Sequence, residues 1–127
     1  MRLLSIDPGI TTGFALLDIW EGDELIDVGE LEIKNLGLLK EKSADVIIME
    51  QVPTPSQSPM NRRLESVNSL LISLFPSVIM IMPSHWKTHP ASQRPIPQRW
   101  QEDFPILASS QHARDALGMA VYYVIVR

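Results

Sequence analysis

Three acidic side chains in this 127-residue chain stand where the surrounding sequence is apolar or turn-forming. Asp7 closes the run Leu3-Leu4-Ser5-Ile6 and is followed by Pro8-Gly9. Glu50 closes Val46-Ile47-Ile48-Met49, and Asp115 lies three residues after His112 in a segment of helical pattern. A lone carboxylate is costly inside a strand core and cheaper at a strand's end, where a cation or a hydrogen-bond donor can meet it. Pro8-Gly9 turns the chain, proline presetting φ and glycine accepting positive φ. Gly13 then admits a close neighbour, either backbone or phosphate. Gathered at one place, three carboxylates repel one another unless a cation lies between them. The chain has no cysteine, so the donors are hard oxygens, which suit Mg²⁺ or Mn²⁺ better than zinc. Two such ions about 4 Å apart activate water and stabilise the oxygen leaving a phosphodiester. Taken singly, the same residues have plainer roles: Asp7 as a turn cap, Glu50 as a strand-end surface acid, Asp115 as a first-turn acid favoured by the helix dipole.

The elements that must position these groups follow from pattern. Residues 2–7 and 13–19 read as the first two strands, joined by the Asp-Pro-Gly turn, with a second turn at Glu21-Gly22-Asp23. Glu24 to Ile33 alternates as a third strand, with Leu25, Leu31 and Ile33 on one face after an irregularity near Gly29. Asn35 is placed to cap a short helix over Leu36 to Lys42. Asp45 to Glu50 is a continuous apolar strand of the kind that sits centrally, covered on both faces. Val52 to Pro59 is a proline-bearing loop, and Ser58-Pro59 starts a helix with serine as cap and proline first. Met60, Leu64, Val67, Leu71 and Leu74 form its apolar stripe, which ends before Pro76. Val78 to Met82 is another strand. Ser84 to Pro105 has no period and reads as a long loop with one helical turn around Pro97 to Glu102. Ser109 or Ser110 caps a last helix running to about Val124, with His112 and Asp115 at neighbouring positions in its first turn.

Composition bounds the rest. Apolar content of 45% and charged content of 20% are those of a globular protein, and the length predicts one domain over residues 1–127. No apolar stretch reaches the roughly 18 residues of a membrane span, and the start leads directly into a patterned strand rather than a signal peptide. The expectation is a cytoplasmic protein with no membrane association. Net charge is −4, unevenly spread: residues 1–50 hold four Lys/Arg against eleven Asp/Glu (−7), and residues 51–127 hold seven against four (+3). A basic face on an acidic protein is therefore open. Arg62, Arg63, Lys87, Arg94 and Arg99 lie in segments expected to flank the carboxylates and are candidates for phosphate contact. Trp86 and Trp100 either stack on bases or pin the proline-rich segment to the core. Thr11 and Thr12 either donate to a phosphate or complete the turn.

Ile6-Asp7-Pro8-Gly9 with Thr12-Gly13, Met49-Glu50-Gln51-Val52, and His112-Ala113-Arg114-Asp115-Ala116 together resemble the signature blocks of RuvC-type Holliday-junction resolvases. Their order matches over nearly the whole chain. The resemblance implies an α/β, RNase H-like (retroviral integrase) fold: a five-stranded mixed sheet, three antiparallel strands and then parallel ones, flanked by helices. It implies that Asp7, Glu50 and Asp115 are catalytic metal ligands, with His112 where the family carries a fourth acidic residue or a histidine. It further implies two Mg²⁺ or Mn²⁺ ions, no small-molecule cofactor, and a homodimer cutting two symmetric strands of a four-way DNA junction. Lys87 resembles the family's basic residue after the fifth strand. Val52 and Pro53 replace the aromatic residues that often follow Glu-Gln-Val, and the region after the fifth strand is rebuilt, as in a compact phage-type resolvase. Two other functions compete: a YqgF-type RNA-processing nuclease of the same fold, and a non-catalytic module that binds branched DNA. Asp-x-Gly-x-x-x-Gly also resembles the phosphate loop of actin-like ATPases, but those need two such lobes and this chain supplies one.

Overall fold

The computed structural model describes residues 1–19, 22–51 and 59–127, with residues 59–61 described by backbone only. The expected Glu21 turn, the loop after Val52, the Ser58 cap and the place of Met60 in its stripe lie outside these. Five strands, β1 (Arg2–Asp7), β2 (Thr11–Asp18), β3 (Glu24–Glu32), β4 (Val46–Glu50) and β5 (Ile79–Ile81), form one sheet in the order β3-β2-β1-β4-β5. β1 pairs antiparallel with β2 and β2 with β3, whereas β4 runs parallel to both β1 and β5. This is the mixed sheet expected from the sequence. Helix α1 (Pro59–Leu74) covers one face and the C-terminal helix α4 (Gln111–Val126) the other, with two short helices, α2 (Pro83–Trp86) and α3 (Gln98–Asp103), between them in the chain.

Strand alternation decides which side chains meet which helix. Leu4, Ile6 and Met49 enter the core under α1 with Val67 and Leu71. Leu3 and Ile48 face α4 with Ala113, Ala116, Leu117 and Ala120. By the same parity Ser5 points at α4, and its hydroxyl donates to the Ala116 carbonyl at 2.7 Å. That bond sits in a fully buried setting and fixes the height of α4 over β1. Ser5→Ala leaves the carbonyl without this donor, so a loss of about 1–2 kcal/mol is expected in urea unfolding at unchanged m-value.

Three expectations are corrected. Leu25 and Val28 both enter the α4-side core, whereas Leu31 packs on the α1 side and Ile33 is exposed. The register slips between Leu16↔Asp27 and Leu17↔Leu25, so the irregularity falls at Ile26 and not near Gly29. An extra residue there turns Leu25 onto the face of Val28. Residues Ile33–Lys42 form a 3₁₀ helix with Glu32 at its cap position, not an α-helix capped by Asn35. Leu36 and Leu39, its buried pair, are three apart, the spacing that eclipses in a 3₁₀ turn. Finally, the span from Ser84 to Pro105 is no open loop. It is a succession of α2, a 3₁₀ turn at Pro90–Gln93, α3, and a 3₁₀ turn at Pro105–Ala108. Prolines start three of these turns, where a missing N–H costs nothing. Trp86 and Trp100, 4% and 6% exposed, are buried in the α4-side core; they pin this segment and are not free for base stacking.

Candidate active site

The α4 face of the sheet also receives Asp7 and Glu50. Asp7 is two residues beyond Ser5, and Glu50 two beyond Ile48, so both carboxylates project toward α4. The last registered pair of the parallel strands, Ile6↔Met49, sets them next to each other one step further on. On its other side Asp7 is paired with Gly13. A Cβ on Gly13 would lie 2.0 Å from the His112 carbonyl oxygen and 3.1 Å from the Ala113 nitrogen. The glycine is therefore there to let the start of α4 come down onto the sheet beside Asp7. The close neighbour is backbone, not phosphate. Thr12 completes the turn: its buried hydroxyl donates to the Gly9 carbonyl at 2.9 Å.

The start of α4 is fixed by Ser110, whose hydroxyl accepts from the Ala113 N–H at 3.0 Å and donates to Glu30 at 2.6 Å. From there His112 reaches toward Asp7, Nδ1 to Oδ2 at 3.9 Å, beyond hydrogen-bond length. Asp115 is half-buried, and one of its oxygens accepts from the Gln111 amide at 2.7 Å. Glu50 accepts from the Trp86 indole N–H at 2.9 Å and faces the Lys87 ammonium at 3.8 Å.

The charges of this group are poorly compensated. Burial, and then the charges of Glu50 and Asp115, push the Asp7 carboxyl up to about 7, with Lys87 the opposing influence. Glu50 is raised chiefly by burial, against the pull of Lys87 and the Trp86 hydrogen bond and with a further push from Asp115. Asp7 thus lies within electrostatic reach of Glu50 and Asp115. Among the described residues, however, no three His, Asp or Glu side chains stand close enough to form a ready-made metal cage. The donor set still fits a hard divalent cation. It offers carboxylate oxygens without sulfur, two of them on half-buried or buried groups whose ionised forms lack enough positive charge nearby.

The basic candidates divide. Lys87 belongs to this group. Arg94 is exposed beside it, lining the same cleft as Lys87 and Asp115. Arg99 pairs with Glu24 at 2.8 Å, both well exposed, and Arg62 and Arg63 are exposed near the start of α1.

Two contributors were not legible as such. Trp86 orients Glu50, and Gln111 holds Asp115; the only hint in the sequence is that a buried indole N–H needs an acceptor. Because the Trp86 bond favours the ionised form of Glu50, Trp86→Phe keeps the packing and removes that support. The Glu50 carboxyl should then titrate at higher pH than in the wild type, read by ¹³C NMR of the metal-free protein. An unchanged titration would show that the bond does not carry Glu50.

No family model and no curated protein matches this chain. Solved structures do. Thermus thermophilus RuvC in complex with a Holliday junction superposes with a TM-score of 0.69 at 14% identity, covering 96% of this chain and 91% of that one. The fowlpox virus Holliday junction resolvase gives 0.66 at 18% identity, over 100% of both chains. The fowlpox resolvase bound to Holliday junction DNA gives 0.66 at 15%, over 98% and 99%. The chain has the fold of RuvC-type Holliday-junction resolvases, as the sequence blocks led one to expect, and at these identities the likeness speaks to fold.

Proposed function

We propose that this chain is a divalent-metal-dependent endodeoxyribonuclease that hydrolyses phosphodiesters in branched DNA, the four-way junction above all. The observation that carries the reading is the placement of Asp7 and Glu50 side by side on one sheet face under the start of α4, with Asp115 within electrostatic reach. It occurs on a fold shared with proteins that resolve Holliday junctions.

In this reading Asp7, Glu50 and Asp115 hold Mg²⁺ or Mn²⁺, with two ions per site. When bound, the metal supplies the positive charge that acidifies a water and stabilises the oxygen that leaves. The chain's own groups do the rest. Trp86 holds Glu50 in orientation, Lys87 offers a cation to the scissile phosphate or the leaving oxygen, and His112 accepts or ligates at its half-exposed imidazole beside Asp7. Burial keeps Asp7 short of solvent, so a cation is its natural partner. Arg62, Arg63, Arg94 and Arg99 are assigned to backbone phosphates of the arms.

Cutting two strands of a symmetric junction requires two such sites, hence a homodimer. Exposed Leu70 and Ile72 on α1, Ile79 and Met80 on the edge strand β5, and Met82 just after it are the apolar surface assigned to it. Among the described residues no helix is long and apolar enough to cross a membrane.

The test is a substrate panel: a synthetic four-way junction, a matched duplex, a flap and an RNA hairpin, each with Mg²⁺, Mn²⁺ or chelator. Metal-dependent cutting of the junction in preference to the rest is the expected result. Cutting of RNA alone would instead make it an RNA-processing nuclease.

A further inference from the structure

Arg114 stands inside the block His112-Ala113-Arg114-Asp115-Ala116, one residue before a carboxylate of the site, yet none of the roles assigned above uses it. It is half-buried, and its guanidinium is anchored at two points. Nη1 donates to the Leu107 carbonyl at 2.8 Å, and Nη2 donates to the Gln111 side-chain oxygen at 2.8 Å. The first contact ties α4 to the 3₁₀ turn at Pro105–Ala108 that precedes it. Leu107 is packed in the α4-side core, so this anchor is firm. The second contact decides which way the Gln111 amide faces.

A guanidinium has five donors and no acceptor. The amide oxygen of Gln111 must therefore turn toward Arg114, and its NH₂ must turn away. That NH₂ donates to Asp115 Oδ1 at 2.7 Å. Gln111, Arg114 and Asp115 stand at i, i+3 and i+4, the spacings that bring helical side chains together. The result is a directional relay from the Leu107 carbonyl through Arg114 and Gln111 to Asp115, with each donor matched to an acceptor. A flipped amide would set donor against donor at Arg114 and oxygen against carboxylate at Asp115. Among the described residues Asp115 Oδ2 accepts no hydrogen bond, so it is the oxygen left for a cation. By charge alone, an arginine beside a cation site opposes uptake of the cation. Its place here is explained by what it orients.

We propose that Arg114 and Gln111 are positioning residues for Asp115. Arg114 sets the Gln111 amide, and Gln111 holds one carboxylate oxygen so that the other is presented to the metal site. The cation rests on the nuclease reading, whereas the relay does not. Hydrogen-bond partners of metal ligands are worth about 10–100-fold in metal affinity, and these two act on the ligand in series.

The test is the Mn²⁺ affinity of the full chain, read from the free-ion signal in electron paramagnetic resonance. Arg114→Met and Gln111→Met should each weaken it about tenfold. The double variant should also lose about tenfold, because the second residue acts only through the first. Removal of a positive charge alone has the opposite sign and would tighten Mn²⁺ binding. In the metal-free protein Arg114→Met should also shift the Gln111 side-chain amide in ¹H–¹⁵N spectra and the Asp115 carboxyl carbon. Gln111 is exposed, so Gln111→Met carries the test should Arg114→Met not fold. Unchanged or tighter Mn²⁺ binding in either single variant would overturn the proposal. So would losses that multiply to about a hundredfold in the double variant, or a Gln111 amide indifferent to Arg114→Met. A wild type that takes up no Mn²⁺, while Arg114→Met still shifts the Gln111 and Asp115 signals, would count against the metal reading and leave the relay standing.

Discussion

Asp7→Asn is expected to stabilise the metal-free protein at pH 8 while removing its response to divalent cations and its cleavage. The sign comes from the raised carboxyl of Asp7, about 7 in the fold against 3.8 as its ordinary value. Between those values the folded chain holds more proton on Asp7 than the unfolded chain does. Stability from this group is therefore fully present at acid pH, falls as pH rises through that window, and is lowest above about 7. The full window corresponds to an order of 2–4 kcal/mol. An amide cannot ionise, so at pH 8 the variant should gain about 2 kcal/mol, or roughly 5–10 °C in Tm, and near pH 4 the two proteins should converge. Millimolar Mg²⁺ or Mn²⁺ should raise the melting temperature of the wild type and leave Asp7→Asn where it was. Cleavage should fall by more than about a hundredfold, since even the outer partners of metal ligands are worth 10–100-fold. Thermal melts at the two pH values, with and without metal, check the stability changes, and cleavage of an end-labelled junction checks the loss of activity. Equal stability at pH 8 would show that Asp7 is comfortably solvated and has no call on a cation.

Gly13→Ala should be the most damaging small substitution in the chain. The added methyl would sit 2.0 Å from the His112 carbonyl oxygen and 2.4 Å from its carbon, and backbone cannot swing aside as a side chain can. The start of α4 must lift, which strains the Ser110 cap and carries His112 and Asp115 away from Asp7. A cost of about 3 kcal/mol, near 10 °C in Tm, is expected, together with loss of metal-induced stabilisation. Gly37→Ala is the control: its added methyl meets nothing within 4 Å, so its effect should stay within about 0.5 kcal/mol. Similar melting temperatures for the two variants would mean that α4 is not seated on Gly13.

Much of this architecture could be read from the residues, because the strongest signals were periodic. Asp7 and Glu50 each end an apolar run, and parity alone puts them on the face opposite Leu4, Ile6 and Met49. The Val67–Leu71 stripe of α1 and the Ser110 cap of α4 are likewise local signals that the tertiary structure keeps. What escaped was aperiodic. The turns between Pro83 and Ala108 are each too short to show a 3.6-residue repeat, so their prolines read as breakers when they are first residues of helical turns. The slip at Ile26 is a pairing event between two strands, invisible in one of them. From sequence Trp86 is either a stacking or a pinning side chain; that its N–H reaches Glu50 depends on how α2 folds back against β4. For the site, Asp7 and Glu50 are legible as strand-end carboxylates, but their adjacency comes from the parallel pairing of β1 with β4, and the Gln111 hydrogen bond that engages Asp115 comes from helix geometry one turn away.

The most direct measurement is strand mapping on a four-way junction with each of its strands end-labelled in turn, comparing wild type and Asp7→Asn in Mg²⁺, Mn²⁺ and chelator. Paired nicks at symmetric positions in two opposing strands are expected, present with metal and absent in chelator and in the variant. A junction bound but left whole by the wild type in every metal would contradict the nuclease reading, and would make this carboxylate group part of a protein that recognises branched DNA without cutting it.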